Sequence, residues 1–286
     1  MDVSVVIINH NTKELTGQTI RSVLDTTREV TFEIIVVDNS DDPGERLSGV
    51  YDSRVTLLPP VENRGFACGC NFGAQKASGD YVLYLNSDVK LHEGALDRAV
   101  FYLKEHPDVG ALGIKTQLPD KSLDHGCKRG FPTPSAALYY FLGLDKKYPL
   151  SRKYGAYRQT FLSEDETNDV DAVSGAFMLC PRALIEALHG FDEDFFMYGE
   201  DLDLCWRIKA KGFRVVYFAG AGMTHFKGQS GLHQRSKRVI RAFYDAMLLF
   251  YKKHYRKKYS IFTTALVYTG IRLKYLLTLL KAKVGA

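Results

Sequence analysis

Short runs of β-branched and aliphatic residues, each ending in polar side chains, constrain the fold of this chain more than any other feature. They occupy Val3–Asn9, residues 32–37 and residues 79–89, and helix-length segments separate them. Runs this short are typical of strands that are covered on both faces of a sheet. Strands that alternate with helices form βαβ units, so the sequence predicts an α/β fold with a Rossmann-like, mostly parallel sheet.

The polar residues at the ends of these runs are the first candidates for a functional site. Asn9 ends the first run, Asp38 follows the second, and Asp88 lies near the end of the third. Right-handed crossovers place the carboxyl ends of parallel strands at one edge, where open α/β sheets bind ligands. We therefore expect these three side chains to converge. For Asp88 the alternative is that it caps a helix starting within residues 92–96, since a buried carboxylate needs a partner.

The rest of the first 230 residues continues the same alternation, except for one segment. Residues 117–170 show no pattern that predicts structure, and we expect them to form an excursion over the site. Further strands are predicted at 55–58, 109–114, 170–180 and 213–218, and helices at 12–27, 94–106, 182–189 and 200–211, with another helix that the Gly-rich turn at 63–71 enters and that runs to residue 77.

The helix predicted to begin at Glu200 carries an acid on its apolar face. Asp201 shares that face with Leu204, Cys205 and Ile208, at spacings of three, four and seven residues. The alternative is that Asp201 and its acidic neighbours only complement the helix dipole. Dipole complementarity does not explain why one acid points inward, so we expect Asp201 to be functional.

His225 comes after the last predicted strand and a run of small residues, 219–222. An isolated histidine is often structural, so a structural role and contact with a ligand or nucleotide both remain open. Oxygen and imidazole donors without thiolates suit Mg²⁺ or Mn²⁺, and such ions bridge phosphates. A site of this kind at a sheet edge suggests a nucleotide diphosphate. The Gly-rich turn at 63–71 matches neither a Walker A loop nor a dinucleotide fingerprint, which disfavours kinases and dehydrogenases.

The cysteines and the first residues favour a cytoplasmic location. The chain has five cysteines without a CxxC pair, and an odd number with this spacing indicates reduced thiols. Met1 leads directly into a predicted strand, so we expect no signal peptide.

Charge divides the chain into an acidic body, residues 1–230, and a basic tail, residues 231–286. The tail holds 13 Lys and Arg against one acid, Asp245, whereas the body holds 25 Lys and Arg against 32 acids. Its longest apolar stretch, 261–271, is about half of the ~20 residues that a spanning helix needs. We expect amphipathic helices on an anionic membrane surface, with residues 252–258 at the headgroups.

The tail has two other interpretations. A helical cap on the catalytic domain with a solvated basic face is the structural alternative. A nucleic-acid partner is disfavoured, because the aromatic residues of the tail lie in apolar helical stretches and not in an exposed stacking platform.

Five motifs, in order, resemble those of family-2 glycosyltransferases with the GT-A fold, in the rhamnosyltransferase-like branch. The resemblance covers about residues 1–230. The motifs are Val3–Asn9, residues 36–40 (VVDNS), residues 63–67 (NRGFA) with Asn71, residues 85–89 (LNSDV), and residues 195–201 (FFMYGED) with 203–207 (DLCWR). His225 stands where the family has a late histidine.

The resemblance implies a role for each matching residue. The nucleotide would contact Asn9, His10, Asp38, Asn63, Arg64, Gly65 and Asn86, with Asp38 at the nucleobase. Asp88, the last position of the D-x-D motif, would be the main ligand to Mg²⁺ or Mn²⁺, and His225 a second ligand. Asn86 replaces the first acid of that motif, which leaves fewer carboxylates on the ion and puts a strict metal requirement in doubt.

The same resemblance implies the reaction. Asp201 would be the general base of an inverting, single-displacement transfer, and Tyr198, Glu200 and Trp206 would lie on the acceptor side. The donor would be a nucleotide-diphosphate sugar, with rhamnose from dTDP-rhamnose as the branch suggests. The acceptor would be a saccharide, or one linked to polyprenyl diphosphate, at the cytosolic face of the membrane.

Three alternatives remain beside this interpretation. The transferase could use a UDP- or GDP-sugar. The chain could be an inactive nucleotide-sugar-binding module, although Asp88, Asp201 and His225 argue against this. A metal-dependent nucleotidyltransferase would need a second carboxylate cluster, which the sequence does not show.

Overall fold

The computed structural model describes residues 1–49, 51–227 and 237–284, which form an α/β sandwich around one sheet. Within these residues the sheet has nine strands. They are β1 Val3–Asn9, β2 Phe32–Asp38, β3 Val55–Leu57, β4 Tyr81–Leu85, β5 Val89–Leu91, β6 Val109–Gln117, β7 Asn168–Asp169, β8 Phe177–Pro181 and β9 Arg214–His225.

Helices connect the strands and extend beyond the last one. They are α1 Lys13–Thr26, α2 Phe66–Ala74, α3 Ala95–Glu105, α4 Pro134–Phe141, α5 Leu144–Lys147, α6 Arg182–Ala187, α7 Glu200–Ala210, α8 Lys237–His254 and α9 Ile261–Val284. The excursion therefore contains two helices, α4 and α5, that the sequence did not predict. Short 3₁₀ turns at Pro43–Glu45 and His125–Cys127 complete the regular structure.

The strand order is β3-β2-β1-β4-β8-β6-β9-β5, with β7 paired to β9. The first four strands are parallel, and β6 is parallel to β9. β8 is antiparallel to both of its neighbours, and β5 and β7 are antiparallel to β9. The predicted α/β architecture is confirmed, but the expectation that every strand ends at the same edge was wrong, because β8 runs in the opposite direction.

The continuous apolar run of β1 follows from burial on both faces. Val3, Val5 and Ile7 point into one hydrophobic cluster, and Val6 and Ile8 point into the other. Side chains alternate between the two faces of a strand, so a strand covered by helices on both sides needs apolar residues at every position. β1 and β2 pair in register, which sets Asn9 opposite Asp38.

Residues 79–89 do not form the single strand that the sequence predicted. β4 pairs with β1 and β8, whereas β5 pairs antiparallel with β9. The chain changes strand partners at residues 86–88, and these polar residues occupy the crossing. Asp88 does not cap a helix, because α3 begins at Ala95 with Gly94 at the capping position.

Two further strand predictions differ from the structure. The expected strand at 170–180 is reduced to β8, and β9 continues past residue 218 to His225. The small residues at 219–222 accommodate a register shift against β6, between Ile114 and Lys115. A shift of this kind bends a strand without ending it, so His225 lies on a strand and not after one.

The helices of the tail pack on the body. Phe250 and Tyr251 of α8 are buried in a hydrophobic cluster that also contains Phe195. The Tyr251 hydroxyl lies 3.1 Å from Thr264 Oγ1 of α9. The division expected between residues 230 and 231 lies outside the described residues. None of the described helices combines the length and the apolar character needed to cross a membrane.

Candidate functional site

A cavity of about 820 Å³ lies where the strand ends, the excursion and the helices α7–α9 meet. The polar crossing at residues 86–88 and the first residues of α2 and α7 form part of its wall. Nine of the residues predicted to form the site line it: His10, Asn63, Gly65, Asn86, Asp88, Tyr198, Glu200, Asp201 and His225. Of the three side chains expected to converge at the sheet edge, only Asp88 reaches the cavity wall.

Asn9 and Asp38 lie behind the cavity wall in a buried hydrogen-bond network. Asn9 Nδ2 donates to Asp38 Oδ2 at 3.2 Å. The backbone amides of Ser40 and Leu47 donate to the same carboxylate at 2.9 and 3.1 Å. These bonds fix the orientation of Asp38, and its contact with a nucleobase stays a prediction.

The Gly-rich turn enters the cavity at Gly65, which adopts a left-handed φ of 108°. A Cβ atom here would overlap the carbonyl oxygen of Phe196. That oxygen accepts a hydrogen bond from the Phe66 amide at 2.8 Å, so the turn is joined to the aromatic loop before α7. Asn63 Oδ1 accepts a bond from the Gly65 amide, whereas Arg64 is exposed, off the cavity wall and 4.0 Å from Glu193.

Asp88 and His225 face each other within the cavity. Antiparallel pairing of β5 with β9 places Val89 opposite His225, and His225 Nε2 lies 3.2 Å from Asp88 Oδ1. This contact lacks hydrogen-bond geometry, so Asp88 Oδ1 is buried without a hydrogen-bond partner among the described residues. The other ring nitrogen, Nδ1, lies 2.9 Å from Asp124 Oδ2. Asp124, from the excursion, thus orients the imidazole toward Asp88.

The charges around His225 determine its protonation. Burial alone would lower the pKa of His225, but the bonds to Asp124 and the proximity of Asp88 outweigh it and raise the pKa to about 9. Burial likewise opposes ionisation of Asp124, yet His225 and Lys227 hold the pKa of that carboxyl well below its usual range. Lys227 Nζ lies 3.1 Å from Asp124 Oδ1.

The pair formed by Asp88 and His225 fits a divalent cation that has further ligands from a substrate. Among the described residues, no group of three or more His, Cys, Asp or Glu side chains could hold a metal ion. Mg²⁺ is commonly bound through one or two protein ligands together with substrate phosphates and water. The unpaired oxygen of Asp88 would provide one such ligand, and His225 Nε2 would provide a second once the cation replaces the proton that this ring otherwise carries, with Asp124 behind the imidazole.

Asp201 is held at the start of α7 by contacts from three directions. Arg129 Nη2 lies 2.5 Å from Asp201 Oδ2, and the Gly175 amide donates to the same oxygen at 3.3 Å. The Leu202 amide donates to Oδ1 at 2.7 Å. A carboxylate has about four lone-pair sites. One therefore remains on Asp201 to accept a proton from a molecule in the cavity.

The other acids of α7 are also buried, which differs from the expectation that only Asp201 points inward. Burial, reinforced by the neighbouring Asp201, raises the pKa of Glu200 to about 8. Glu200 Oε2 has no hydrogen-bond partner. Asp203 is fully buried, where Arg207, Lys253 and His254 pair with it. Asp203 thus anchors α8 to α7.

Trp206 was assigned to the acceptor side, but the structure does not bring it to the cavity wall. Its ring packs against Phe131, Phe250 and Tyr255, with centroid distances of 4.7, 6.0 and 5.4 Å. Lys258 Nζ lies 4.3 Å from the ring centroid. These contacts join α7, the excursion and the tail.

Sequence reasoning missed Asp124 and Arg129, which contact His225 and Asp201. Both lie on the cavity wall, within the excursion, which carries no strand or helix periodicity. Their role depends on the fold, because their partners are 101 and 72 residues away in the chain. No local pattern distinguishes them from other polar loop residues.

Comparisons with known proteins identify the family and the fold of this chain. The family model described as glycosyl transferase family 2 matches residues 4–163, and that of glycosyl transferase family group 2 matches residues 154–284. Three curated relatives are similar. N-acetylglucosaminyl-diphospho-decaprenol L-rhamnosyltransferase of Mycobacterium tuberculosis is 29% identical over 69% of this chain and 67% of its own length. Rhamnosyltransferase WbbL of Escherichia coli is 31% identical over 52% of this chain and 53% of its own.

The third relative is much longer. O-antigen biosynthesis protein RfbC of Myxococcus xanthus is 27% identical over 80% of this chain, but the chain spans only 17% of RfbC.

Solved structures show the same fold. GalNAc-T7 with UDP, GalNAc and Mn²⁺ superposes with a TM-score of 0.61 at 17% identity, over 88% of this chain and 50% of that chain. The mannosyltransferase PcManGT of Pyrobaculum calidifontis, with GDP-Man and Mn²⁺, gives a TM-score of 0.57 at 18% identity, over 99% and 86%. The predicted GT-A fold is confirmed. The first family model matches more than half of the 286 residues of this chain, so the chain belongs to glycosyl transferase family 2.

Proposed function

We propose that this chain is an inverting glycosyltransferase that moves a sugar from a nucleotide-diphosphate donor to a hydroxyl of a cell-surface glycan or lipid-linked saccharide. One observation carries the proposal. A single cavity brings together a carboxylate–imidazole pair suited to a diphosphate-bound cation, Asp88 with His225, and a second carboxylate, Asp201, that can accept a proton.

The donor would lie along the sheet edge. The Gly65 turn lets a nucleotide approach the backbone closely, and Asn63 and Asn86 offer polar side chains beside it. Asp88 and His225 would hold Mg²⁺ or Mn²⁺, an ion that neutralises charge on the departing diphosphate. Asp124 keeps the imidazole directed at that position.

Asp201 would act on the acceptor. Its carboxylate takes the proton from the attacking hydroxyl, and the oxygen then displaces the diphosphate from the opposite face of the sugar. A single displacement with one base inverts the anomeric centre. Arg129 restrains the carboxylate, so the base is already oriented when the acceptor enters.

The names of the relatives support rhamnose as the sugar. Two similar proteins are rhamnosyltransferases, and the name of one specifies a diphospho-decaprenol acceptor. We infer dTDP-rhamnose as the donor and a polyprenyl-diphosphate-linked saccharide as the acceptor. The structures with UDP or GDP-Man make a UDP- or GDP-sugar the second candidate.

We further infer that the protein works at the cytosolic face of a membrane, as a peripheral protein. Lys252 in the last turn of α8 is exposed, as are Arg256, Lys257 and Lys258 in the turn between α8 and α9. Anionic headgroups attract such clusters by about 1 kcal/mol per residue.

Donor hydrolysis across a panel of nucleotide sugars, with Mg²⁺, Mn²⁺ or EDTA, tests the enzyme class. We expect release of one nucleotide diphosphate that EDTA suppresses. Equal release with EDTA would refute the metal role. If no sugar nucleotide is hydrolysed and calorimetry detects no donor binding, the glycosyltransferase proposal fails.

A further inference from the structure

Large apolar side chains are exposed in two segments that lie far apart in the sequence. Leu150 of the excursion is 83% exposed, and Phe262 and Leu266 of α9 are 79% and 74% exposed. The full set is Leu138, Leu142, Tyr148 and Leu150 in the excursion and Ile261, Phe262, Leu266, Leu273, Leu276, Leu277 and Leu280 in α9. Single exposed apolar residues are ordinary, but clusters of this size mark interaction surfaces.

The two segments are neighbours in space. Lys274 Nζ of α9 lies 4.0 Å from the ring centroid of Phe141, at the end of α4. Leu138 of α4 and Leu266 of α9 line the same cavity, and both are exposed. The exposed residues of 138–150 and of α9 therefore form one surface, here called the docking surface, around the mouth of the cavity.

The apolar residues of α9 are not explained by packing within the protein. Phe262, Leu266, Leu273 and Leu280 recur at helical spacing on one exposed face. The opposite face packs on α8, where Tyr275 lies 5.4 Å from Tyr244 between ring centroids. A helix that is apolar on both faces belongs in apolar surroundings, and the described part of the chain covers only one face of α9.

The net charge of the two segments indicates what covers the exposed face of α9. Residues 251–286 contain nine Lys and Arg and no Asp or Glu, and residues 134–158 contain five against one acid. That acid, Asp145, is buried and lies 3.5 Å from Arg158. A second copy of this chain would bring like charges together, whereas an anionic bilayer offers both opposite charge and an apolar interior.

We propose that α9 and residues 138–150 of the excursion together form a surface that docks on an anionic lipid bilayer. Residues 138–150 thereby contribute to the membrane-binding face together with α9, so this face is not limited to the basic tail. One consequence of this docking, the route by which the acceptor enters, rests on the proposed function. Because the cavity mouth lies at this surface, an acceptor anchored in the bilayer enters the cavity beside Asp201 directly from the membrane.

Flotation with vesicles of phosphatidylcholine and phosphatidylglycerol tests the surface. One variant carries Leu142→Ser and Leu150→Ser in the excursion, and another carries Leu273→Ser and Leu277→Ser in α9. The control is Phe101→Ser, an exposed apolar residue on α3, outside the docking surface. None of these side chains lines the cavity, so donor hydrolysis reports independently on the enzyme.

We expect the wild type and Phe101→Ser to float with anionic vesicles and not with neutral ones. Each double variant should bind at least about tenfold more weakly, because apolar area is lost from the contact, while donor hydrolysis is unchanged. If the excursion variant floats like the wild type, the joint surface is refuted but the proposed function stands. A wild type that stays at the bottom, or that dimerises through α9 instead, also refutes it.

Fluorescence gives a second measurement that does not depend on loss of binding. Of the five cysteines only Cys68 is not fully buried, so Leu150→Cys in a Cys68→Ser background can be labelled selectively with bimane. We expect a blue shift of the emission on addition of anionic vesicles. A matched label at Phe101→Cys should show none. An unshifted spectrum at position 150, in protein that floats, would contradict docking by the excursion.

Discussion

At the scale of single residues, the acids in the cavity differ in whether they have a partner and in which one, and this difference affects their chemistry. Asp201 has the guanidinium of Arg129, Asp124 has the imidazole of His225, and Glu200 Oε2 has no partner. Two buried acids side by side cannot both ionise cheaply. Burial beside Asp201 therefore favours the protonated form of Glu200.

Replacement of Asp201 by Asn tests the base. The amide keeps the shape of the side chain but cannot accept the proton, so transfer should fall by at least about a hundredfold. Donor affinity, measured by calorimetry, should stay within about twofold, since the donor would bind at Asp88 and His225. Asp194→Asn, an exposed acid on the preceding loop, is the control. Turnover of Asp201→Asn at the wild-type rate would remove Asp201 from this role.

Asp124→Asn tests the orientation of the imidazole. Loss of the carboxylate behind a ligating histidine commonly weakens metal binding by about 10–100-fold. We expect Mn²⁺ affinity, measured by titration calorimetry in the presence of nucleotide diphosphate, to fall in that range. Asp120→Asn, on an exposed turn of the same segment, should bind Mn²⁺ as the wild type does. Unchanged affinity in Asp124→Asn would show that His225 is oriented without it.

Glu200 makes the stability of the protein depend on pH. Its folded pKa of about 8 lies above the usual 4.5, so the folded state keeps a proton that the unfolded state releases. The contribution of Glu200 to the free energy of unfolding is therefore fully present below about pH 4.5. It is lost as the pH rises to about 8, by at most about 1.4 kcal/mol per pH unit.

Glu200→Gln should remove this contribution, because the amide cannot ionise. Urea unfolding between pH 5 and pH 8 should show a flatter pH dependence for the variant and a higher stability at pH 8. Glu193→Gln, an exposed acid, should leave the slope of the wild type. Parallel profiles for Glu200→Gln and the wild type would show that Glu200 is ionised when folded.

At the scale of elements, the sequence predicts those strands and helices that depend on a local residue pattern. β1 is predicted to the residue because all of its positions are buried. α7 begins at the predicted residue and ends at Ala210, close to the predicted end, because an apolar stripe recurs along it. The break between β4 and β5 could not be predicted, because it arises when the chain exchanges one strand partner for another. The partners of the excursion residues likewise depend on contacts between distant parts of the chain.

The entry into α2 provides an element-scale test. Gly65→Ala should lower the free energy of unfolding by about 2 kcal/mol or more, through a left-handed φ and overlap with the Phe196 carbonyl. Gly212→Ala is the matched control, since Gly212 has a φ of 89° and open space around its Cβ position. Urea denaturation compares the two. Equal losses would mean that backbone conformation alone accounts for the effect.

At the scale of the whole molecule, the structural boundary lies within the tail, at the turn between α8 and α9, and not at the start of α8. α8 contributes Val239, Tyr244 and Phe250 to buried positions, whereas most large apolar residues of α9 are exposed. α8 is therefore packed into the core together with the body. The tail, which its charge predicts as one unit, consists of a helix buried against the body, α8, followed by a helix whose large apolar residues are mostly exposed, α9.

Two truncations distinguish these helices. A chain ending at residue 260 keeps α8, and we expect it to fold, with cooperative thermal unfolding and lost affinity for anionic vesicles. A chain ending at residue 236 uncovers Phe195 and Trp206, and should aggregate or lose cooperative unfolding. If the shorter chain melts as cooperatively as the full one, α8 is not part of the folding unit.

The stretch of chain from Asp124 to Arg129 has a consequence for the whole reaction. One end of it holds the imidazole that faces Asp88, and the other end holds Asp201. If a cation binds at Asp88 and His225 as proposed, we expect it to order the first end and, through the residues between, the second, so that the affinity for the cation and the position of Asp201 are linked. By reciprocity, an acceptor that fixes Asp201 should then raise the affinity for the donor.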